Sequence, residues 1–184
     1  VTALQTPGVT LFLEDRMIDD AGPWLEGDLD TVGPVPFGSV GLRWLPMTTG
    51  ARKVPLVTVL TYGVMRQRVE AVLAPWLRDW NGDPYVEPNL CVDLLDLRSI
   101  YPVDFNYLTQ GRSSLSRTGK LLVIEPDVQW NGVGAEIVAQ ISEVLPHIRV
   151  KRLGAKRETI PAASRLHAGL FPSDKEIIQA ILTW

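Results

Sequence analysis

The chain has 184 residues, of which 46% are hydrophobic and 21% are charged, a globular composition with room for about one domain and a substantial core. Its 18 basic and 21 acidic residues give a formal net charge of −3, which argues against nucleic acid or an anionic membrane surface as the main partner. The single cysteine, Cys91, excludes an internal disulfide and a Cys-x-x-Cys metal or redox site.

The cellular setting is predicted from three simple features. A lone cysteine in an apolar segment suits a reducing compartment, so we expect a cytoplasmic protein. No apolar run approaches the ~20 residues of a membrane-spanning helix, so no membrane association is expected. The sequence starts at Val1, without an initiator Met or a signal-peptide pattern, and we expect it to be one piece of a longer protein.

Residues 1–53 are predicted to be an irregular N-terminal segment with short strands. The apolar runs at 9–13 and 40–45 are strand candidates. Between them, residues 19–36 are rich in Asp, Gly and Pro and should not sustain regular structure.

Residue 54 begins a regular pattern of short apolar runs alternating with amphipathic segments. The run at 54–60 predicts a strand covered on both faces. Apolar residues then recur at helical spacing from Met65 to Trp80, with Pro75 expected to kink or break that helix. The later elements are a loop at 81–89, a strand at 90–97, a helix at 105–115 capped by Asp104, a strand at 120–125, a helix at 132–145, a strand at 148–153 and a helix from Ser173, which with Glu176 fits a capping box.

This alternation predicts an α/β fold, because parallel strands need helical crossovers, which are right-handed. We therefore expect residues 54–184 to form an open, doubly wound, mostly parallel sheet with helices on both faces.

Ligands of such sheets bind beyond the carboxyl ends of the strands, near the switch in strand order. Arg98 directly follows the strand at 90–97 and could present a charged fork to a carboxylate or phosphate. The alternative is that Arg98 forms a salt bridge with Asp96 or Asp104.

The Gly132-x-Gly134 pair resembles part of a dinucleotide-binding fingerprint, but the third glycine is missing. Glu136 would also place a carboxylate in the first helical turn, where it would repel a phosphate. The two glycines are therefore interpreted as allowing a tight turn from strand to helix.

The sequence lacks the motifs of most active sites that a single chain can form by itself. His147 and His167 lack carboxylates at metal-ligand spacing, and no G-x-S-x-G, phosphate-loop or kinase signature occurs. Trp130 lies in a loop, where an aromatic residue more often packs against a partner chain than stacks on a ligand. The sequence by itself thus predicts neither a catalytic residue nor a metal site.

The order of the motifs resembles that of the transketolase C-terminal domain family, most closely the beta subunit of the decarboxylating component of 2-oxo acid dehydrogenase complexes. Together the matching segments span about residues 9 to 184. In the order of the family they are 10–14 (TLFLE), 57–63 (VTVLTYG), 96–104 (DLRSIYPVD), 118–125 (TGKLLVIE), 132–137 (GVGAEI), 159–162 (TIPA) and 171–178 (FPSDKEII).

This resemblance implies a thiamine diphosphate-dependent enzyme that is not active as this chain alone. In the family, the cofactor and its magnesium are held by two other domains, one with a G-D-G…N motif and one with a Glu that activates the pyrimidine ring. Gly27-Asp28 and Gly82-Asp83 both lack the second glycine. We therefore expect partner chains or domains to bind thiamine diphosphate and magnesium, and this chain to supply interface and substrate-entrance surface.

The family also supplies a role for Arg98. In some transketolase-like relatives, the arginine of the corresponding D-x-R segment contacts the anionic group of the substrate. With this precedent, direct substrate binding by Arg98 and a structural salt bridge stand as equal alternatives. The sequence departs from the family at Trp80 to Asn89, which looks inserted, and at Glu14-Asp15-Arg16, which replaces a more typical E-H-K.

Three functions stay open at this stage. The first is a domain or subunit of a complex that cleaves a 2-oxo donor and passes the acyl fragment to a lipoyl group or carrier protein, with an acyltransferase or carrier protein as partner. The second is transfer of a two-carbon unit from a ketose phosphate to a carrier protein in secondary metabolism. The third is a non-enzymatic docking module, since fold does not fix function.

Overall fold

The computed structural model describes residues 2–13, 35–45, 56–78 and 92–184. Its strands are β1 (Val40–Leu45), β2 (Val57–Thr61), β3 (Val92–Leu97), β4 (Lys120–Val128) and β5 (Arg149–Ala155). Its helices are α1 (Thr2–Gln5), α2 (Val64–Arg78), α3 (Phe105–Thr109), α4 (Ser114–Thr118), α5 (Val133–Val144), α6 (Ser164–Ala168) and α7 (Asp174–Leu182).

The strands form one sheet in the order β1-β3-β2-β4-β5. The strands β3, β2, β4 and β5 are parallel, and β1 pairs with β3 in the antiparallel direction. From β2 the chain moves outward to β3 on one side, and then returns past β2 to β4 on the other. The predicted doubly wound, mostly parallel α/β fold is therefore confirmed. The strand predicted at 40–45 joins this sheet, and the division of the chain at residue 53 stays a prediction.

Two apolar layers cover the two faces of the sheet, as alternate side chains of a strand point to opposite faces. Helices α2 and α7 pack on one face, and α3, α4 and α5 pack on the other. The fully buried residues that represent the two layers are Val59, Met65, Leu73, Leu94 and Ile177 on the first face, and Leu60, Leu95, Leu121, Ile137 and Ile141 on the second.

Helix α2 continues through Pro75 to Arg78, so the break offered as one outcome at this proline is wrong. Pro75 lies on the exposed side of the helix, while Met65, Val69 and Leu73 are at most 1% exposed against the sheet. The burial of that apolar face offsets the one backbone hydrogen bond that the proline removes.

The helix predicted over 105–115 is two helices in the structure. Asp104 caps α3 as expected, since its Oδ1 accepts a hydrogen bond from the Tyr107 backbone N–H at 2.8 Å. The helix then ends, and Ser113 begins α4 by accepting from the Ser116 N–H at 3.2 Å. Ser113 is a strong N-cap residue inside 105–115, and its cap divides this stretch into two helices.

The strand predicted at 9–13 is wrong. These residues pair with no strand in the described parts of the chain, and Val9, Leu11, Phe12 and Leu13 are between 73% and 95% exposed. An apolar run forms a strand only where another strand satisfies its backbone groups. Most of the irregular stretch at 19–36, and the loop at 81–89, lie outside the described residues.

The carboxyl-terminal third follows the sequence pattern closely. Helix α7 begins with the predicted capping box, in which Ser173 accepts from the Glu176 N–H and Glu176 accepts from the Ser173 N–H. Strand β4 runs three residues beyond Glu125 and contains a register shift between Ile124 and Val128. None of the described helices has both the length and the apolar character that crossing a bilayer demands.

Candidate functional site

The switch in strand order lies between β2 and β4, so their carboxyl ends mark the position where ligands bind in doubly wound sheets. Tyr62 follows β2 directly and is 7% exposed. Glu125 lies in β4 and is fully buried. The helix that follows β4, α5, begins beside this pair, so the site combines a phenol, a carboxylate and a helix N-terminus.

The Glu125 carboxylate occupies the N-terminus of α5. Its Oε2 accepts a hydrogen bond from the Gly134 backbone N–H at 2.7 Å and one from the Tyr62 hydroxyl at 3.3 Å. Its Oε1 is buried without a hydrogen-bond partner in the described part of the chain. The first-turn N–H groups and the positive end of the helix dipole, which would otherwise favour an external anion, thus face a carboxylate of the protein itself.

Gly132 and Gly134 are required by this carboxylate. A Cβ at Gly132 would lie 2.6 Å from the Val128 carbonyl oxygen and 2.7 Å from Oε2 of Glu125, and a Cβ at Gly134 would lie 2.7 Å from Oε1. The structural interpretation of Gly132-x-Gly134 is therefore confirmed, with a more specific cause. The two glycines leave the space that the Glu125 side chain fills at the strand-to-helix turn.

Burial raises the pKa of the Glu125 carboxyl above its ordinary value, and the hydrogen bonds from the Gly134 N–H and Tyr62 only partly offset this effect. The pKa of the Tyr62 hydroxyl is also raised, first by burial and then by the charge of Glu125. Both shifts favour the protonated forms, so the Tyr62 hydroxyl serves as a hydrogen-bond donor to Glu125. Neither is open to solvent, so the pair has no contact through which to act on a substrate.

Arg98 lies at the same edge of the sheet, directly after β3, and its side chain is exposed. Its guanidinium lies over the backbone of β1, since a Cβ at Gly41 would be 3.0 Å from Nη2. Among the residues that the structure describes, no carboxylate lies within ion-pair distance of Arg98. The two acids of the salt-bridge alternative have other partners: Asp96 lies 3.8 Å from Arg66, and Asp104 caps α3.

The charge of Arg98 still reaches Asp96. Burial raises the pKa of Asp96, and the positive charges of Arg66 and Arg98 act against that rise. Arg98 thus influences Asp96 through its charge, but it forms no ion pair with a described acid. Its contact with a substrate stays a prediction.

A metal centre finds no support in this part of the molecule. Within residues 2–13, 35–45, 56–78 and 92–184, no three His, Cys, Asp or Glu side chains come together as metal ligands would. His147 is exposed, and His167 packs edge-on against Phe171 at 5.3 Å between ring centroids.

A buried polar network that the sequence analysis missed joins α4 to the sheet. Asp93 is fully buried in β3, where Arg117 pairs with its Oδ2 at 2.6 Å and the Ser114 hydroxyl donates to the same oxygen. Ser114 also lies 2.6 Å from Thr58 Oγ1. The signal in the sequence was an aspartate at the centre of an apolar strand, because a buried charge requires a partner.

The comparisons with known proteins agree with the fold and its motifs. The family described as "Transketolase, C-terminal domain" matches residues 51–177. The pyruvate dehydrogenase E1 component subunit beta of Gracilaria tenuistipitata var. liui is 28% identical over 128 residues, which are 68% of this chain and 36% of the relative. The same subunit of Rickettsia bellii is 24% identical over 98% of this chain and 50% of the relative. The chain thus spans half or less of the length of these relatives.

Among solved structures, a split gene transketolase in an inactive beta4 tetramer superposes with a TM-score of 0.52. The two proteins share 16% sequence identity over 70% of this chain and 39% of the other. At this identity the likeness supports the fold alone.

Proposed function

The chain belongs to the transketolase C-terminal domain family, and we propose that it is the C-terminal part or subunit of a thiamine diphosphate-dependent enzyme of the pyruvate or 2-oxo acid dehydrogenase type. Such an enzyme cleaves a 2-oxo donor and passes the acyl fragment to a lipoyl group or a carrier protein. The family match over 51–177 carries this proposal. The similarity to several beta subunits of pyruvate dehydrogenase favours a 2-oxo acid as donor.

The residues described do not fit thiamine diphosphate or its magnesium. The helix N-terminus at the switch point, where a diphosphate would be favoured, already holds the buried Glu125 carboxylate. Across the described ranges no group of acidic or histidine side chains has the arrangement of metal ligands. We therefore assign the cofactor to partner subunits or domains that carry the diphosphate and pyrimidine sites.

An exposed apolar segment supports a role in association. The exposed fractions of Leu11, Phe12 and Leu13 are 84%, 81% and 73%. Contiguous apolar residues on a surface usually mark an interaction site. The sequence of this segment favours an extended strand. Its backbone groups pair with no strand among the described residues, so they can pair with another sheet. We assign it to the contact with the cofactor-binding partner.

Arg98 is the side chain that we assign to substrate. It is exposed at the carboxyl edge of the sheet, without an ion-pair partner among the described residues, and Tyr101 beside it is 92% exposed. A guanidinium in this state can donate two parallel hydrogen bonds to the carboxylate of a 2-oxo acid. In the assembled enzyme this edge would border the substrate entrance formed with the partner.

Reconstitution with the native partner tests the proposed function. The chain is purified together with the proteins that it retains from its own source, and these are identified by mass. The proposal requires a partner with the G-D-G…N motif and the activating Glu, and consumption of a 2-oxo acid by the complex in the presence of thiamine diphosphate. Consumption of a ketose phosphate instead would assign two-carbon transfer. Absence of any such partner would leave the chain as a docking module and contradict the proposal.

A further inference from the structure

A cleft of about 480 Å³ lies at the carboxyl end of the edge strand β5. Arg98 follows β3, so the strands β2 and β4 lie between it and this cleft. The loop after β4 forms one wall, and residues 170–172 form the other. This volume lies within the range of small-molecule sites. The cleft is therefore large enough for a small ligand. Neither Tyr62 nor Glu125 lines it, although the charge of Arg152 acts on Glu125.

The walls of the cleft are tied together by hydrogen bonds. The Gln129 side chain donates to the Arg152 carbonyl at 2.8 Å, and the Lys156 N–H donates to the Leu170 carbonyl at 2.9 Å. Gly154 allows the loop after β4 to approach β5, since a Cβ there would lie 2.7 Å from the Asp127 carbonyl oxygen. The shape of the cleft is thus set before a ligand arrives, which lowers the entropy cost of binding.

The charged side chains that line the cleft are mostly basic. Arg152, Lys156 and Arg157 face a single carboxylate, Glu176, which leaves a net charge of +2. No described carboxylate lies within 4 Å of the three cations. Glu176 is already engaged, because it accepts hydrogen bonds from the Ser173 N–H at 2.7 Å and from the Ser173 hydroxyl at 2.6 Å. Cations held in a concave surface concentrate anions there.

One of these cations has an unmet hydrogen-bonding requirement. Nη1 of Arg152 is buried and has no hydrogen-bond partner in the described part of the chain. A buried donor without an acceptor costs about 1–3 kcal/mol, and most such groups in folded proteins are satisfied. An oxygen atom of a bound anion would satisfy this one.

Trp130 positions a second cation at the mouth of the cleft. The guanidinium of Arg157 lies 4.1 Å from the centroid of the Trp130 ring, and the ring is 63% exposed. This cation–π contact restrains Arg157 without neutralising its charge. Its N–H groups remain able to donate to an anion.

From this arrangement we propose that the cleft binds a small ligand that carries a phosphate group, through Arg152, Lys156 and Arg157. A phosphate monoester carries a charge of about −1.5 to −2 at neutral pH, which matches the net charge of the cleft. Arginine forks recognise phosphate oxygens through paired hydrogen bonds. The site is distinct from Arg98 and from the proposed chemistry, so it adds a second ligand to the molecule.

Calorimetric titration of the 184-residue chain with inorganic phosphate tests this proposal, with acetate as the singly charged comparison at the same ionic strength. We expect saturable binding of one phosphate and at least about tenfold weaker binding of acetate. Arg157→Met and Arg152→Met keep the apolar stem and remove the charge. Each should raise the phosphate Kd at least about tenfold, while Arg112→Met, at an exposed position outside the cleft, should leave it unchanged.

Several outcomes would overturn the proposal. These are an absence of saturation below about 10 mM phosphate, equal losses in Arg112→Met and Arg157→Met, and acetate binding as tight as phosphate. Saturable binding of an acidic peptide without binding of phosphate would instead assign the cleft to a protein partner. Arg157 is exposed, so its variant should fold normally and keeps the test decisive if Arg152→Met unfolds.

Discussion

At the residue scale, Glu125 explains several features of the sequence at once. The glycine at 134, part of the rise in the pKa of Tyr62 and the closed N-terminus of α5 all trace to one carboxylate turned into the protein. Glycine spacing alone could not distinguish this arrangement from a site for an external anion. The distinction depends on a glutamate that lies nine residues before Gly134 and meets it only through the fold.

Replacement of Gly134 by alanine tests the space requirement. The added Cβ would lie 2.7 Å from Oε1 of Glu125 and 2.8 Å from Cγ1 of Val123, so a buried carboxylate and a core side chain must both shift. Such overpacking costs about 1–3 kcal/mol. Urea denaturation of Gly134→Ala should show a loss of this size. Gly111→Ala is the control, because a Cβ there meets nothing within 4 Å, and an equal loss in both variants would contradict the explanation.

The raised pKa of Glu125 predicts a dependence of stability on pH. In the unfolded chain the carboxyl loses its proton near the ordinary value of 4.5, whereas the folded chain holds it to a higher pH. Between these values the folded state binds more protons, so the contribution of Glu125 to the free energy of unfolding falls as pH rises. Above the folded pKa the loss is complete.

Glu125→Gln removes this titration while keeping an acceptor for the Gly134 N–H. The stability of the native chain minus that of the variant, measured by denaturation at a series of pH values, should fall as pH rises above 4.5. Glu143→Gln, at an exposed position of α5, should give a flatter difference. A difference for Glu125→Gln that rises with pH would show that the buried carboxylate is stabilised in its charged form.

Arg98 is tested by its effect on substrate rather than on folding. Since no described acid forms an ion pair with it, Arg98→Met should change the free energy of unfolding by less than about 0.5 kcal/mol. In the reconstituted complex the same variant should raise the KM for the donor about 10- to 100-fold, the range expected when a charged hydrogen bond is lost. A large loss of stability with an unchanged KM would favour a structural role for Arg98. The control is Arg112→Met, which removes another exposed arginine.

At the scale of elements, the sequence predicted most of the helices and strands whose pattern is local. The capping box at Ser173 and the apolar spacing of α2 specify those helices without reference to the rest of the chain. The errors occur where a distant partner decides. The 9–13 segment has strand propensity but no described strand to pair with. Helix α4 has a local cap at Ser113, and its packing on the sheet depends on the distant contact of Ser114 with Asp93 of β3.

Helix α4 should therefore depend on its polar contacts with the sheet. Ser114→Ala removes the donor to Asp93 and the hydrogen bond with Thr58, and leaves a buried carboxylate less satisfied. The expected cost is about 1–3 kcal/mol in the free energy of unfolding. Ser116→Ala changes the same residue type on the exposed side of the same helix and should cost less than about 1 kcal/mol. Equal effects would mean that the network adds nothing beyond helix propensity.

At the scale of the whole molecule, the described part of the chain has apolar layers on both faces of the sheet. Its available charged side chains lie toward the carboxyl edge of the sheet. Both apolar layers are filled by the helices on either face. Arg98, Lys156 and Arg157 follow the carboxyl ends of β3 and β5, and Arg152 lies within β5. The fold class followed from the alternation of strands and helices, whereas this distribution of charge required the packing of the loops.

The exposed 9–13 segment predicts how the domain depends on its partner. Phe12→Asp replaces a side chain that is 81% exposed, so the free energy of unfolding of the chain should change by less than about 0.5 kcal/mol. Placing a charge in an apolar interface leaves it desolvated and unpaired, so affinity for the cofactor-binding partner should fall at least about 30-fold. Ile160→Asp, at another apolar position that is 74% exposed, should retain the partner in the same co-purification assay. Retention of the partner by Phe12→Asp would remove the segment from the interface.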